Sequence, residues 1–408
     1  MSNLRSATPA SALAAWLPDR FLFLVMMGGL FLRLLVLVLY PDQMFPDAEM
    51  YRFGGESLIS SGDIGDVLHM PLYPLWTWVW GGGISLKLAD IFVSVLTIGI
   101  VFHLSQEVFR NLSAARFAAI VTAIYPFFVF FSVSRLSEPL YIFILTTAFL
   151  VLYRKQYFYG AVLLVVSILI KPNLDLLAPI LIFVFAAIVH REPLPIALKR
   201  TLIYVPVYLV LMAPWWVHNY AKYDTFVRLN LGDGPSLYSG NNELSWSGGG
   251  IERATTEGAS YPTDVDWTVF AGVEDPIEKN MAMKARALEV ILGDPGRFME
   301  LAGVKFLRYW RLYPFAPKYQ GAYALISVFS FGPVLLLSLL FLIRDGRKNL
   351  ARLSPVFFLI VYSTLIHMVF TASIRYRLPL EPFLIIMASW EFMGLLSLKK
   401  NRSRKKQG

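Results

Sequence analysis

Long apolar stretches alternate along this chain with short polar segments. A helix needs about 20 predominantly apolar residues to cross the hydrocarbon core of a bilayer, and the stretches approach or reach that length. The pattern predicts an all-α polytopic membrane protein with about ten transmembrane helices. The ten stretches are 21–40, 84–104, 116–133, 137–153, 157–171, 174–190, 201–218, 321–343, 353–372 and 376–397.

Two polar segments, 41–83 and 219–320, are much longer than the other connections. The second is predicted to hold a helix from about Pro276 to Leu292 and another that runs to Trp310. Asp294 is the expected N-cap of that second helix, with Pro295 at its first position. The predicted domains are therefore an N-terminal bundle 1–218 (spans one to seven, with first loop 41–83), a loop domain 219–320, spans eight to ten in 321–398, and a basic tail 399–408.

The distribution of basic residues predicts the orientation. With ten spans, the connections rich in Lys and Arg all fall on one side, which is the cytoplasmic side by the positive-inside rule. Both termini are then cytoplasmic, and segments 41–83 and 219–320 both face outward. The basic residues that support this orientation are Arg110, Arg116, Arg154, Lys155, Arg191, Lys199, Arg200, Arg344, Arg347, Lys348, Arg352 and the tail.

Composition agrees with a membrane protein and excludes several other classes. Of 408 residues, 56% are hydrophobic and only 16% charged, with a mean hydropathy of +0.56. The chain has no cysteine, which excludes disulfides, thiolate catalysis and cysteine-bound metals. Of the net charge of +9, six positive charges belong to residues 397–408, where they act as a topology signal beside anionic lipid. We therefore expect membrane lipids and no nucleic acid among the partners.

The first outward segment carries an acidic pair, Asp47 and Glu49, beside a predicted helix that starts near Ala48. Asp47 there would be ionised and close to backbone N–H groups. It could serve only as the helix N-cap, or it could be a general base for a hydroxyl or amine nucleophile. The spacing alone leaves both interpretations open.

Two further sets of residues suggest a phosphate ligand. His69 precedes a rigid proline turn, Met70-Pro71-Leu72-Tyr73-Pro74, near the outer interface. Arg375 and Arg377 open the last span from the outer side, against the positive-inside rule, and arginine suits phosphate because it stays charged and bonds in a bidentate manner. Snorkelling to lipid headgroups is the alternative. No His, Asp or Glu spacing specifies a metal.

Arg33 stands apart, because it lies inside the first span. A cation at that depth needs a partner within the bundle. We expect this partner to be a carboxylate, which the sequence does not identify.

Taken together and in this order, these motifs resemble the GT-C membrane glycosyltransferases. The nearest resemblance is to the bacterial branch related to protein O-mannosyltransferases and aminoarabinose transferases. It covers most of the chain and includes the Ser134-Arg135-Leu136-Ser137-Glu138-Pro139 turn, Tyr238-Ser239-Gly240-Asn241-Asn242 with Gly248 to Gly250, and the late Arg375-Tyr376-Arg377-Leu378-Pro379. The 408 residues are few for this family, and from the sequence we expect no large C-terminal soluble domain.

The resemblance implies a hexosyl or pentosyl transferase that takes its sugar from a polyprenyl-phosphate donor and inverts the anomeric carbon. The acceptor would be a lipid, a glycan or a protein, at the periplasmic face of a bacterial inner membrane. No cofactor is certain, although Mg or Mn would be compatible. By position, Asp47 matches the base and Glu49 the second acid. The residues that match donor-phosphate binding are Arg52, His69, Arg375 and Arg377; the supporting ones are Arg135, Glu138, Lys171, Tyr376, Asn241 and Asn242.

Three other functions are compatible with parts of this pattern. A lipid-linked glycan ligase or polymerase would also use outward Arg and His, but would not depend on Asp47. A transporter or flippase predicts related halves and ionisable groups near the middle of the membrane, whereas most charges here lie at the interfaces. A structural scaffold would tolerate changes at Asp47, Arg375 and Arg377.

Overall fold

The computed structural model describes residues 19–40, 45–65, 68–249, 264–314 and 321–405, and every regular element within these ranges is helical. Of the described residues up to 223, eleven stretches are α-helical: α1 Arg20–Leu39, α2 Pro46–Ser61, α3 Leu72–Val79, α4 Ile84–Phe109, α5 Leu112–Ile124, α6 Pro126–Phe131, α7 Glu138–Tyr153, α8 Tyr157–Ile170, α9 Ala178–Val184, α10 Leu194–Leu202 and α11 Tyr204–Tyr223.

The remaining helices belong to the second long segment and to the C-terminal part. They are α12 Asp233–Gly240, α13 Pro276–Gly293, α14 Pro295–Trp310, α15 Ala322–Phe341, α16 Arg347–Val369, α17 Ile374–Arg377 and α18 Glu381–Lys405. A π-helical segment, Phe185–Val189, extends α9, and another, Leu342–Gly346, joins α15 to α16.

Five helical stretches in the described part are long and apolar enough to cross a membrane: Arg20–Leu39, Ile84–Phe109, Leu194–Tyr223, Ala322–Val369 and Ile374–Leu398. The shorter apolar helices are Leu112–Ile124, Glu138–Tyr153, Tyr157–Ile170 and Ala178–Val189. The protein is therefore an integral membrane protein. The number of ten crossings and the orientation stay predictions.

The 48-residue stretch Ala322–Val369 contains both predicted spans eight and nine. Phe341, the last residue of α15, stacks edge-on against Phe109 at the end of α4. Arg352, early in α16, accepts a hydrogen bond from Tyr153 at the end of α7. Since α4 ends at Phe109 and α7 ends at Tyr153, the π-helical segment between α15 and α16 lies at the same end of the bundle as the C-termini of α4 and α7.

Proline divides one of the predicted spans. The stretch 116–133 was expected to be one helix, but Tyr125 has an extended backbone and Pro126 begins α6 as a new helix. The ring of Pro126 removes a backbone donor and disfavours a helical conformation at the residue before it. The short, aromatic α6 that results becomes a wall of the site described below.

Arg33 is fully buried in α1, and its expected carboxylate partner is not what the structure provides. Its guanidinium instead donates to the Ser94 hydroxyl at 2.9 Å and to the carbonyls of Gly29 and Ala123 at 3.0 and 2.9 Å. The carbonyl of Ala123 is close to the α5–α6 break, where helix carbonyls lose their usual N–H partners. The prediction of a carboxylate was therefore wrong.

The second long segment folds into a small helical unit, which we call the loop domain (residues 224–249 and 264–314). Its own core consists of Tyr238, Val265, Phe270, Met283 and Ala287. The predicted cap is confirmed: the Asp294 side chain accepts from the Arg297 backbone N–H at 2.9 Å, and Pro295 is the first residue of α14. These caps fix where α13 ends and α14 begins.

Candidate functional site

Four ionisable side chains from four distant parts of the chain meet where α2, α7 and α17 begin and α8 ends. The Arg375 guanidinium donates from Nη1 to Asp47 Oδ2 at 2.6 Å, and its Nε also donates to Glu138 Oε1. Lys171 Nζ donates to the same Glu138 oxygen at 2.7 Å. We call Asp47, Glu138, Lys171 and Arg375 the ionic cluster. Its two carboxylates and two cations balance formally.

Local structure explains why these four side chains converge. Asp47 follows Pro46 in the first turn of α2, where the helix dipole favours a negative charge. Glu138 opens α7, and Lys171 follows the last residue of α8 in an extended conformation. Arg375 is held in the short helix α17, whose N-cap is the Ser373 hydroxyl.

The interpretation of Asp47 as a simple N-cap was wrong. The cap position of α2 is Phe45, and among the described residues no side chain caps this helix. The Asp47 carboxylate instead points to Arg375, and about a third of it is exposed. It is thus bound to a cation and reachable from outside, as a reacting group must be.

Glu49 and Arg52 form a separate ion pair one turn along α2. Arg52 Nε donates to Glu49 at 3.0 Å, and its Nη1 donates to Glu56 at 2.9 Å. Arg135 Nη2 approaches Glu49 at 3.9 Å, and Arg135 Nη1 donates to the Gly82 carbonyl. These residues border the ionic cluster without joining it, so their roles stay predictions.

His69 lies against an aromatic wall that the sequence analysis did not identify. Its ring is 4.5 Å from that of Tyr51, which lies 4.7 Å from the ring of Tyr73. The Tyr51 hydroxyl is 3.2 Å from Ser137 Oγ, next to Glu138, and burial raises its pKa well above the usual value. The sequence signal for this wall was the presence of tyrosines in both neighbouring helices, Tyr51 in α2 and Tyr73 in α3.

Arg377 does not join Arg375. It is fully buried, donates from Nε to Glu381 at 2.9 Å, and donates from Nη1 to the carbonyls of Tyr309 and Arg311 at 3.0 and 2.8 Å. Its guanidinium also lies 3.4 Å from the centre of the Phe331 ring. Two residues apart on a helix, side chains point to nearly opposite sides. The predicted pairing of both arginines on a donor phosphate is therefore not what the structure contains.

The intervening Tyr376 and the two asparagines support the surroundings of the site. Tyr376 stacks on His367 with ring centres 4.9 Å apart. Asn241 Nδ2 donates to the Val369 carbonyl at 2.8 Å, which ties the loop domain to the end of α16. Asn242 Nδ2 donates to Tyr238 and Asp264 carbonyls inside the loop domain.

An apolar groove of about 550 Å³ leads up to Arg375. Its walls come from α1, from the aromatic α6 and from the start of α15, and its polar end carries three arginines. The lining includes Val36, Phe127, Phe131, Tyr323 and Ile326, with Arg308, Arg311 and Arg375. Phe45, just before α2, also lines the groove and places Asp47 nearby.

The sequence analysis missed Arg308 and Arg311. Arg308 Nη1 donates to the carbonyl and hydroxyl of Ser247 at 2.9 and 2.7 Å, while the Arg311 guanidinium lies 3.9 Å from the centre of the Tyr313 ring. The signal was present: both are basic residues at the end of the second long segment, on the predicted outer side and within about 15 residues of the predicted span 321–343. The same departure from the positive-inside rule had singled out Arg375.

A second, larger cavity of about 1030 Å³ lies between α2 and the loop domain. Its lining combines apolar and polar groups, among them Phe53, Ser57, Trp267, Lys279 and Asn280. Helix α2 thus borders both spaces, with its start at the groove and its following turns at the cavity.

The described residues contain no group of three or more His, Asp or Glu side chains that could hold a metal ion. Asp47 and Glu138, the two carboxylates of the ionic cluster, are bridged by the Arg375 guanidinium. A cation between them would have to displace that guanidinium.

Comparison with known proteins gives matches among solved structures. The apo oligosaccharyltransferase of Archaeoglobus fulgidus matches at a TM-score of 0.55 and 13% identity, over 96% of this chain and 52% of that chain. The Archaeoglobus fulgidus enzyme AglB in complex with an inhibitory peptide and a dolichol-phosphate matches at 0.50 and 16%, over 95% and 51%. The present chain spans about half the length of these enzymes.

A third match is ArnT from Cupriavidus metallidurans bound to undecaprenyl phosphate, at a TM-score of 0.39 and 14% identity, over 95% of this chain and 78% of that one; at this score it carries no argument. No protein-family model and no curated protein matches the sequence. At these identities the likeness shows the fold. The GT-C fold expected from the motifs is thereby confirmed.

Proposed function

We propose that this protein is a membrane glycosyltransferase that moves a sugar from a polyprenyl-phosphate-linked donor to an acceptor on the non-cytoplasmic side. The observation that carries the proposal is that Arg375 belongs both to the apolar groove and to the ionic cluster with Asp47. A lipid phosphate has the matching chemistry, an apolar chain that ends in an anion. The setting we propose is a bacterial inner membrane, with both termini cytoplasmic.

The groove supports this class of donor. Aromatic and aliphatic walls suit an isoprenoid chain, and Arg308, Arg311 and Arg375 at its polar end suit a phosphate, which arginine binds through parallel charged hydrogen bonds. The archaeal oligosaccharyltransferase, which shares the fold, was solved with a dolichol-phosphate. The same donor class is therefore the natural proposal for this chain.

In the proposed reaction Asp47 is the general base. An acceptor hydroxyl or amine attacks the anomeric carbon, and its proton passes to the Asp47 carboxylate. The bond from that carbon to the phosphate oxygen breaks on the opposite face, with inversion, and its electron pair remains on the lipid phosphate. Arg375 is within reach of both events, and a fixed cation beside developing negative charge lowers the barrier.

Glu138 and Lys171 hold Arg375 in this place. Glu138 is almost fully buried, and both cations donate to one of its oxygens. A buried carboxylate bound by two cations resists rearrangement, because freeing it would leave a charge unpaired in a dry site. We propose that Glu138 and Lys171 orient the arginine while Asp47 handles the proton.

The larger cavity beside α2 offers room for the acceptor, whether lipid, glycan or protein. It lies along the helix that carries Asp47, so an acceptor there could reach the carboxylate without entering the groove. Glu49 and Arg52 pair along α2, and His69 packs on Tyr51 of the same helix; their proposed roles are those of the second acid and of donor contacts.

The test is sugar transfer by purified protein in lipid. Polyprenyl-phosphate donors with different hexoses and pentoses are supplied with a host membrane extract, and released polyprenyl phosphate is measured for wild type and Asp47→Asn. We expect the rate of polyprenyl phosphate release by Asp47→Asn to be about 10²–10⁴-fold lower than that of wild type, which is typical of the loss of a general base. Asp294→Asn is the matched control, because asparagine caps a helix as well as aspartate.

Equal release by wild type and Asp47→Asn would exclude Asp47 as the base and favour a ligase or polymerase. Movement of donor lipid across the bilayer without any sugar transfer would instead favour a flippase. Both results require that the variants retain the thermal stability of the wild type.

A further inference from the structure

An irregular connection lies directly before the helical stretch that carries Arg375. Helix α16 ends at Val369, residues 370–373 form no helix, and Arg375 is the second residue of the stretch Ile374–Leu398, which α17 opens. A short irregular segment has many accessible conformations. Contacts outside this connection therefore determine the position at which the stretch begins, and with it the direction of the Arg375 side chain.

The loop domain contacts this segment at successive points. Asn241 Nδ2 donates to the Val369 carbonyl at 2.8 Å, and the Ala372 N–H donates to the Gly248 carbonyl at 3.0 Å. Between these two bonds, Gly240 packs so closely on the Phe370 carbonyl that a Cβ atom would collide with it. The connection from α16 to α17 is thus held from the loop-domain side.

Lys305 of α14 lies at the centre of these contacts. It is fully buried, and its Nζ donates to Asn241 Oδ1 at 2.7 Å and to the Val369 carbonyl at 3.1 Å. Gly240 and Gly248 leave the space that its side chain occupies, since a Cβ atom at either glycine would press on it. These two acceptors, the Asn241 amide oxygen and the Val369 carbonyl, are neutral, and burial lowers the pKa of Lys305 to about 7.

We propose that Lys305 is a positioning residue for Arg375: by holding Asn241 and the Val369 carbonyl together, it fixes the segment that aims the Arg375 guanidinium at Asp47 and Glu138. The kinetic part of this inference rests on the proposed function. In that function Lys305 does not contact the donor phosphate, but it affects donor binding through the position of Arg375. The loop domain then acts on the site through the chain segment 369–375.

The experiment compares Lys305→Met with Lys284→Met, the same replacement at a half-buried lysine of α13 whose ion pair with Asp233 is reached by solvent. Hydrogen exchange of the peptide 370–376 is measured first, in lipid. We expect exchange to rise about tenfold in Lys305→Met, equivalent to the loss of one buried hydrogen bond, and to stay at the wild-type rate in Lys284→Met.

The kinetic measurement separates positioning from general destabilisation. We expect the donor KM of Lys305→Met to rise about tenfold with the acceptor KM unchanged. A merely structural role would lower the active fraction, and therefore kcat, while both KM values stayed constant. Asn241→Ala removes the same linkage from the other side and should change exchange and donor KM in the same direction, which keeps the test valid if Lys305→Met folds poorly.

Unchanged exchange at 370–376 in folded Lys305→Met and Asn241→Ala would overturn the inference. So would a fall in kcat with an unchanged donor KM. If wild type transfers no sugar from any donor, the proposed function fails, but the exchange measurement still decides whether Lys305 holds this segment.

Discussion

Arg375 and Arg377 are two residues apart, and they show how differently one sequence motif can be used. Arg375 bonds two carboxylates, one of them a third exposed, and lines an open groove. Arg377 is sealed between Glu381, two backbone carbonyls and the Phe331 ring. The same Arg-Tyr-Arg sequence thus places one arginine at an open groove and buries the other completely. Accessibility distinguishes them, whereas charge does not.

The largest expected effect is on stability, at Arg377. Arg377→Met leaves the fully buried Glu381 without its cation, and breaking a buried pair in this way costs about 3–5 kcal/mol. We expect a marked fall in the thermal unfolding midpoint in detergent. Arg286→Met, at an exposed ion pair of α13, is the control. Normal stability with weakened donor binding would show that Arg377 is a phosphate ligand after all.

At Arg375 the expected effect shifts from stability to catalysis. Arg375→Met removes a fixed cation from the proposed leaving phosphate, which typically lowers kcat by about 10²–10³-fold. Glu138 retains Lys171 as a partner, so the unfolding midpoint should fall less than in Arg377→Met. The contrast between the two arginines would be wrong if Arg375→Met had the same unfolding midpoint as Arg377→Met and its folded fraction kept the wild-type kcat.

Arg311 tests whether the groove end extends the donor site beyond Arg375. Arg311→Gln should raise the donor KM about tenfold, since one charged hydrogen bond to phosphate is lost, with little change in kcat. The measurement is a donor titration at saturating acceptor, with Arg286→Gln as the matched control. An unchanged donor KM would confine phosphate binding to the ionic cluster.

The smallest effect is expected where an ion pair is solvated. Glu289 is 68% exposed and pairs with Arg286. Glu289→Gln should change the free energy of unfolding by less than about 1 kcal/mol and leave sugar transfer unaltered. A tenfold loss of transfer would mean that the outer face of α13 takes part in the reaction.

Local sequence rules predicted much of the fold and part of the site. The Asp294 cap with Pro295, the helix after Pro46 and the apolar stretches follow from capping, proline chemistry and hydropathy, all of which act within a few residues. Asp47 was identified because it is a carboxylate at the start of a helix beside the first span. Arg375 was identified because a basic residue on the outer side departs from the positive-inside rule.

What the sequence could not give depends on packing between distant segments. The burial of Arg377 requires Glu381, Phe331 and carbonyls from α14 to meet in one place. Arg33 binds carbonyls because α5 breaks beside it, and a carboxylate was the wrong expectation. The convergence of Glu138, Lys171 and Arg375 likewise joins residues more than 30 and 200 positions apart.

The position of α2, with the groove at its start and the cavity along its next turns, has a kinetic consequence. Donor and acceptor would occupy separate spaces that meet only at the turn carrying Asp47. Neither substrate would need to leave before the other enters, and no covalent sugar–enzyme intermediate is required. Initial rates at several fixed acceptor concentrations should therefore give double-reciprocal lines that intersect, the signature of a ternary complex, whereas parallel lines would indicate a ping-pong reaction.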